Sequence, residues 1–542
     1  VTPSRYEPVY LLELRLGGDE VAAYSGQELS LTSREDGGSR TYSSGLSDVT
    51  FVLGADAVSV TVRRPDVAVL RARVGPLVGR PFALRLHRGE ASLEDALVVL
   101  QGIVTGATWA DPEDPDALLL SLRRAERELT SDALDPQAVV DENTWPDDFF
   151  GAGTYADPAI VGEPYPLVFG APGRQTSDSD TSSALAASPA LQVEANAILD
   201  NTVLIAGHHV EAEEVYLWNL SESGPSAYVY PVANESDALG RDVALVHLEL
   251  GPGTLIPSEG DELLCGWSPR SGKGRGALLD GQPVAGLGDL LLWGARNRSR
   301  AVHDLARMRA EARTLNRFQV DAVVNERGLR WSDWLARNVL DLFGVELVSG
   351  PRGWWYREVV YLPDAARVRA SLVTSQDGSG IRVQRAGGIT DESTEDVANE
   401  VTVAYAPYAC SGSKYVRRVT LGATATEYVY GSGDSRLAPD RLCRRSAELF
   451  GAVSRTWTCG VTWDPPTAQA LARKLVERYA LPAQVVTYTG GPELADLEAY
   501  DTVEITDTSD GAVFDGALGV VQPGIRVGER EVAVTVRVPE LR

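Results

Sequence analysis

Methionine occurs once and histidine five times in these 542 residues, and cysteine occurs four times. Lysine supplies only Lys273, Lys414 and Lys474 of the 50 basic side chains. These scarcities exclude several kinds of site. The cysteines, Cys265, Cys410, Cys443 and Cys459, include no C-x-x-C pair, so neither a zinc ribbon nor a redox dithiol is encoded locally. Three of them fall within 410–459 and leave open a disulfide or an iron–sulfur ligand set; buried free thiols are the simpler expectation. The histidines, His87, His208, His209, His247 and His303, form neither H-E-x-x-H nor H-x3–5-H, so no zinc spacing exists. His208 and His209 are adjacent in an apolar strand, where neighbours point to opposite faces, so they are poorly placed to share a metal.

Long apolar runs are missing too. No stretch of 18 apolar residues and no basic-then-apolar start occurs, which predicts neither a membrane span nor a signal peptide. The start at Val1 is expected to reflect a removed initiator methionine or a mature numbering. Cationic charge is also short: the net charge is −26, which argues against adhesion to nucleic acid along an exposed surface. An acidic surface suits a lumen past which DNA slides without sticking.

Catalytic grammar is sparse. CGWSPRSGKGRGALLDG (265–281) looks like a phosphate loop, but Gly266 to Gly272 is one residue too long and Gly274 replaces the hydroxyl after Lys273. The stretch reads as a joint. No G-x-S-x-G elbow is present, and nothing in the sequence brings a cysteine to a histidine. Glu213/Glu214 and Asp147/Asp148 are carboxylate pairs of the kind a glycosidase needs, against an acidic surface as the plainer reading. DTSDG (507–511) and DPEDPD (111–116) lack calcium-loop spacing and read as turns. Trp354, Trp355 and Tyr356 suit either sugar stacking or a core strand, with the core strand expected.

What is present is mostly β patterning. PVYLLELRL (8–16), DVTFVL and AVSVTVRR (48–64), RPFALRLHRG (80–89), ALVVLQGIVTGATW (96–109) and DALLLSLRR (116–124) are short strands at regular spacing, the pattern of a small barrel. Residues 126–183 read as an extended linker and 184–267 as a β-rich inserted domain. Residues 268–399 read as the joint plus a helical and mixed domain, with Ser332 as an N-cap and Gly344 as a C-cap. Residues 400–542 read as a C-terminal barrel with one helix, framed by Pro465, Pro466 and Pro482. Leu471, Leu475 and Tyr479 share a face of that helix and are expected to pack on the barrel.

The two ends of the chain echo each other. RPFALRLHRG matches YDTVEITDTSDG, ALVVLQGIVTGATW matches GALGVVQPGIRV, and DALLLSLRR matches REVAVTVRV. The period-2 rows Leu118/Leu120/Leu122 and Val532/Val534/Val536/Val538 correspond. The expected fold is therefore mainly β with α+β insertions: two similar small β-barrels flanking a β-rich and a helical inserted domain.

GEPYPLVFG (162–170), NTVLIAGHHVEAEEVYLW (201–218), LLDGQPVAGLGDLLLW (278–293), and ARKLVERYALPAQVVTYT (472–489) followed by LEAYDTVEITD (497–507) together resemble the tail hub proteins of tailed bacteriophages. The likeness is to baseplate-hub-like proteins in the long form seen in non-contractile tails. It departs at Tyr500, where the family's GDxVxIT motif has glycine. The resemblance implies a structural virion protein without catalytic, metal or cofactor residues, assembled in the host cytoplasm and placed at the tail tip. It implies a homotrimer whose N-terminal barrel faces the tube. Its partners would be the tail tube or distal tail protein on one side and a tip spike, fibre or tape-measure protein on the other. DNA would pass through its channel without specific binding. Six barrels in three chains would match a six-fold tube to a three-fold tip. A tail-associated peptidoglycan hydrolase and a carbohydrate-binding receptor protein are the alternative readings.

Overall fold

The computed structural model describes residues 9–539 except for 18–19, 33–38, 48, 50, 53–56, 64–76, 88–91, 94–95, 112–113, 125–137, 174–186, 195–200, 222–226, 249–253, 268–277, 300–302, 327–329, 351–352, 376–378, 408–414, 424–427, 430–433, 439, 510–513 and 528–530. The fold is mainly β, 48% strand against 19% helix.

The first barrel follows from alternation. Val58/Val60/Val62, Phe82/Leu84/Leu86 and Leu118/Leu120/Leu122 each put every second side chain inside, and all are buried. Around the barrel run Glu20–Ser25, Val9–Gly17, Pro81–His87, Leu97–Asp111, Asp114–Arg124 and Ala57–Arg63. Residues 43–47 close it. Ser43 and Ser44 run parallel to Tyr24 and Ser25, and Leu46 and Ser47 run antiparallel to Val62 and Thr61. Between them Gly45, at φ 134°, donates to the Ser25 carbonyl and accepts from the Arg63 N–H.

The second barrel is a closed ring of six strands. In order they are Val368–Val373, Thr502–Asp507, Phe514–Val521, Val532–Pro539, Ala483–Gly490 and Ile381–Arg385, the last pairing back to the first. Its order and strand directions reproduce the first barrel. The three antiparallel strands of 81–124 correspond to those of 502–539. Ala57–Arg63 corresponds to Ala483–Gly490, and the 39–47 segment to Ile381–Arg385. Glu20–Ser25 corresponds to Val368–Val373, each parallel to the segment that follows it. The difference is one strand: Val9–Gly17 is interposed in the first barrel, while Val368–Val373 pairs directly with Thr502–Asp507 in the second. The sequence echo is thus a repeat of topology.

Two expected boundaries move. The C-terminal barrel does not begin at 400, because it takes Val368–Val373, Ile381–Arg385 and Thr390–Asp391 from upstream. Residues 400–458 instead form a separate five-stranded sheet. Val401, Val403, Tyr405, Val419 and Leu421 of that sheet share one core with the helices Leu287–Asn297 and Pro465–Tyr479. Helix Pro465–Tyr479 therefore packs on this sheet and not on the barrel, since the sheet's apolar face is what Leu471 and Leu475 meet. Ser332 is not a cap either: the helix begins at Trp331, which places Ser332 in the first turn. Gly344 does end it, in the left-handed conformation at φ 56°.

The segment 126–183 is not an extended linker over its described residues 138–173. Val140, Trp145 and Tyr165 are buried against Leu191, Val193, Leu204, Val243 and Leu245, covering one face of the seven-stranded sheet of the inserted β domain. The opposite face packs Val203, Ile205, Val215, Leu217 and Trp267. The aromatics decide the outcome, because Trp145 stacks on Phe150 at 5.6 Å and such side chains gain more by burial than the polar residues between them lose.

A buried carboxylate ties these bodies together. Asp321 accepts from the Ala171 N–H at 2.8 Å, the Trp463 N–H at 3.2 Å and the Gln319 side chain at 3.2 Å. Burial pushes its carboxyl upward while these donors favour the charged form. Leu475→Ala should cost about 2–5 kcal/mol, because Leu475 is 2% exposed in the shared helix–sheet core. Urea unfolding monitored by tryptophan fluorescence measures this, and an unchanged midpoint would contradict the packing described.

Candidate functional site

The two barrels meet through an added strand. Phe51 and Val52 leave the first barrel and pair antiparallel with Val527 and Arg526 of the second. Beside this joint the Tyr10 hydroxyl donates to the Val527 carbonyl at 2.9 Å in a buried position. Leu12, Leu84 and Leu120 of one barrel and Ile525, Val527, Val534 and Val536 of the other fall in a single hydrophobic cluster. The joint is a continuous core, so the barrels behave as one rigid pair.

A second joint holds the pair to the helical body and leaves a cleft of about 380 Å³. Arg537, on the last strand, donates through Nε and Nη2 to Glu392 at 2.7 and 2.9 Å, and through Nη1 to the Tyr361 carbonyl at 2.8 Å. This fork geometry needs arginine. Across the cleft the Arg478 guanidinium lies 4.7 Å over Tyr479 and 5.6 Å over Tyr361 while Nη1 reaches Asp341 at 2.8 Å. Burial pushes the Tyr361 phenol up to about 12. Tyr500 completes the wall. It adopts φ 69°, a left-handed conformation that favours glycine, at a cost of about 1–2 kcal/mol. Its hydroxyl donates to Glu346, which compensates part of that strain. Behind it Arg357 spans Glu498 at 3.1 Å and Asp501 at 3.0 Å, and Arg307 reaches Glu498 at 2.6 Å. These pairs clamp the barrel turn 498–501 to helix Leu305–Leu315 and strand Gly353–Glu358. The cleft's guanidinium groups are engaged with carboxylates, an arrangement that holds surfaces together.

The residues singled out from sequence are dispersed. His208 and His209 point apart. His208 Nε2 accepts from the Val168 N–H at 3.1 Å and its Nδ1 lies 2.9 Å from the His209 carbonyl, so Nδ1 carries the proton. His209 instead approaches the Glu235 carbonyl at 2.9 Å. Burial takes the His208 pKa down to about 4 and also lowers that of His303. His87 is buried in the strand Pro81–His87. His247 belongs to a polar row that sequence spacing did not reveal: its Nδ1 lies 3.0 Å from Thr202 Oγ1 and its Nε2 2.8 Å from Glu235. Thr202, 1% exposed, also bonds Glu194, so the row links neighbouring strands and presents no accessible hydroxyl.

The other candidates do not converge on a site. Cys265, Cys443 and Cys459 are separate buried thiols, each pushed up to about 12 by burial. Cys410 and the loop of Lys273 lie outside the described residues. Glu214 opens a strand opposite Pro231, while Asp148 bonds the Gly153 N–H in its own turn. Trp355 and Tyr356 are buried core residues, with Arg307 lying 4.5 Å over the Trp355 ring. Asp507 of DTSDG is a buried lock. Burial opposes its charge, but Ser509, Tyr488 and Arg385 outweigh this and hold its pKa low. Among the described residues no cluster of three His, Cys, Asp or Glu could hold a metal.

No protein-family model matches the sequence, and no curated protein does. Among solved structures, a tail protein from Neisseria meningitidis MC58 is 11% identical over 99% of this chain and 97% of its own, with a TM-score of 0.33. A chain from the virion of a native gene transfer agent particle is 12% identical over 77% of this chain and 89% of its own, with a TM-score of 0.36. The 43 kDa tail protein of prophage MuSo2 from Shewanella oneidensis is 11% identical over 98% of both chains, with a TM-score of 0.32. At these scores the superpositions carry no functional weight.

Two outcomes are expected here. The unfolded state binds a proton at His208 near pH 6.5 and the folded state only near pH 4, so stability is lost as pH falls through that window. His208→Gln keeps an acceptor and should flatten the dependence between pH 6.5 and 4 in urea titrations. Arg537→Met should destabilise the cleft joint by about 3 kcal/mol, and Arg537→Lys should recover only part of it, because lysine cannot bridge both carboxylate oxygens. Thermal melts of both variants measure the difference.

Proposed function

We propose that this chain is a structural tail hub: three copies form a ring whose six barrels mate with a six-fold tail tube, while the inserted domains face a three-fold tip. The observation that carries the reading is the pair of barrels with the same strand order and directions, fused through one core. Such a pair is a rigid double unit, and three of them supply six nearly equivalent positions. The sequence resemblance to tail hubs points the same way, apart from Tyr500 at the motif's glycine position. The net charge of −26 suits a channel wall that repels the phosphate backbone, so acidic side chains should outnumber basic ones toward the axis.

In this reading the tube or distal tail protein sits on the barrel face, and a spike, fibre or tape-measure protein sits on the other. Native mass measurement of the purified chain, with electron microscopy of tail tips, tests it. Three copies around an acidic channel are expected. Six copies, two copies, or a basic channel wall would overturn it.

A further inference from the structure

The topological repeat makes one part of the first barrel stand out. In the second barrel, strand Val532–Pro539 carries the core-facing row that starts at Val532, and Val527 lies opposite Val532. The outer edge of Arg526 and Val527 is covered by Phe51 and Val52 of the first barrel. The matching row in the first barrel starts at Leu118, and Trp109 lies opposite it. Trp109 therefore holds the place of Val527, and Ala110 that of Arg526.

This matching edge is uncovered among the described residues. Strand Leu97–Asp111 pairs with Pro81–His87 only as far as Ile103, after which Val104 exchanges backbone hydrogen bonds with Gly79 and Arg80. From 105 to 111 strand pairing continues only toward Asp114–Arg124. Thr105 and Thr108 are exposed there. An edge of this length without a partner among the described residues is a template for another strand, and proteins normally shorten, charge or cover such edges. Of residues 105–108, whose exposure is described, the exposed side chains are two threonines, β-formers without charge.

We propose that residues 105–111 receive a strand from a second copy of this chain, repeating between copies the joint that Phe51 and Val52 make within one. The inference rests on the hub reading. In a ring of alternating first and second barrels, the joint within the chain uses the receiving edge of the second barrel. The joint between chains then falls to the equivalent edge of the first. The occupant is accordingly a second copy, and the ring closes because each copy both covers an edge and has one covered.

The test uses the full chain with the photocrosslinking residue p-benzoylphenylalanine in place of the exposed Thr105, irradiated after native mass measurement. Covalent species of two and three chains are expected, with the linked peptides assigned to a neighbouring copy by mixing isotopically light and heavy protein. Crosslinks confined to single chains in a protein that is trimeric by native mass would overturn the added strand and leave the hub reading intact. A monomeric protein would overturn both. As a second measurement, Thr108→Lys should weaken trimer association at least tenfold while leaving the circular dichroism spectrum of the monomer unchanged. Undiminished association in a folded variant would likewise count against the proposal.

Discussion

The antiparallel pairing of Phe51 and Val52 with Val527 and Arg526 is the constraint from which the rest of the architecture follows. It brings the early and late parts of the chain into one core, so everything between must leave that core and return to it. The inserted β domain and the helical body are excursions of this kind. The attachment of the helical body is polar where the barrel joint is apolar: Arg357 with Glu498 and Asp501, Arg307 with Glu498, and Tyr500 with Glu346. Apolar fusion gives stiffness without direction, while forked ion pairs fix an angle.

Asp321 does comparable work within the excursions. A single carboxylate collects donors from Ala171, Gln319 and Trp463, which arrive on three separate parts of the chain. A buried anion is tolerated when every lone pair is met, and its arrangement is then harder to vary than that of an apolar contact. Gly170 shows how close the approach is: at φ 63° a Cβ there would lie 2.0 Å from the Val320 carbonyl oxygen. The GEPYPLVFG stretch is thus shaped by backbone contact with residues 320–321, a structural explanation for its glycine.

Much of the barrel architecture was legible because period-2 rows such as Leu118/Leu120/Leu122 and Val532/Val534/Val536 survive in any register. What the sequence concealed depended on distance. The strand Phe51–Val52 is too short to show periodicity, and its partner lies at the far end of the chain. The row Thr202–His247–Glu235 depends on strand register, which spacing does not reveal. Helix Pro465–Tyr479 showed its apolar face correctly but not which surface would receive it, since an amphipathic stripe specifies a need and not a partner. The stretch 138–173 reads as linker for a different reason: its proline, glycine and aspartate content masks the signal of Trp145, Phe150 and Tyr165.

The split origin of the second barrel bears on how the protein is made. Its strands come from 368–391 and again from 483–539, so no stretch emerging from a ribosome before the final strand can close it. The first barrel has its own strands by residue 124, but the edge that Phe51 and Val52 must cover is synthesised some four hundred residues later. Folding with such high contact order is slow, and apolar surface waits uncovered in the meantime. A chain truncated by premature termination would keep that surface exposed and lack the second barrel altogether. Only a chain that extends through strand Val532–Pro539 therefore acquires the double barrel.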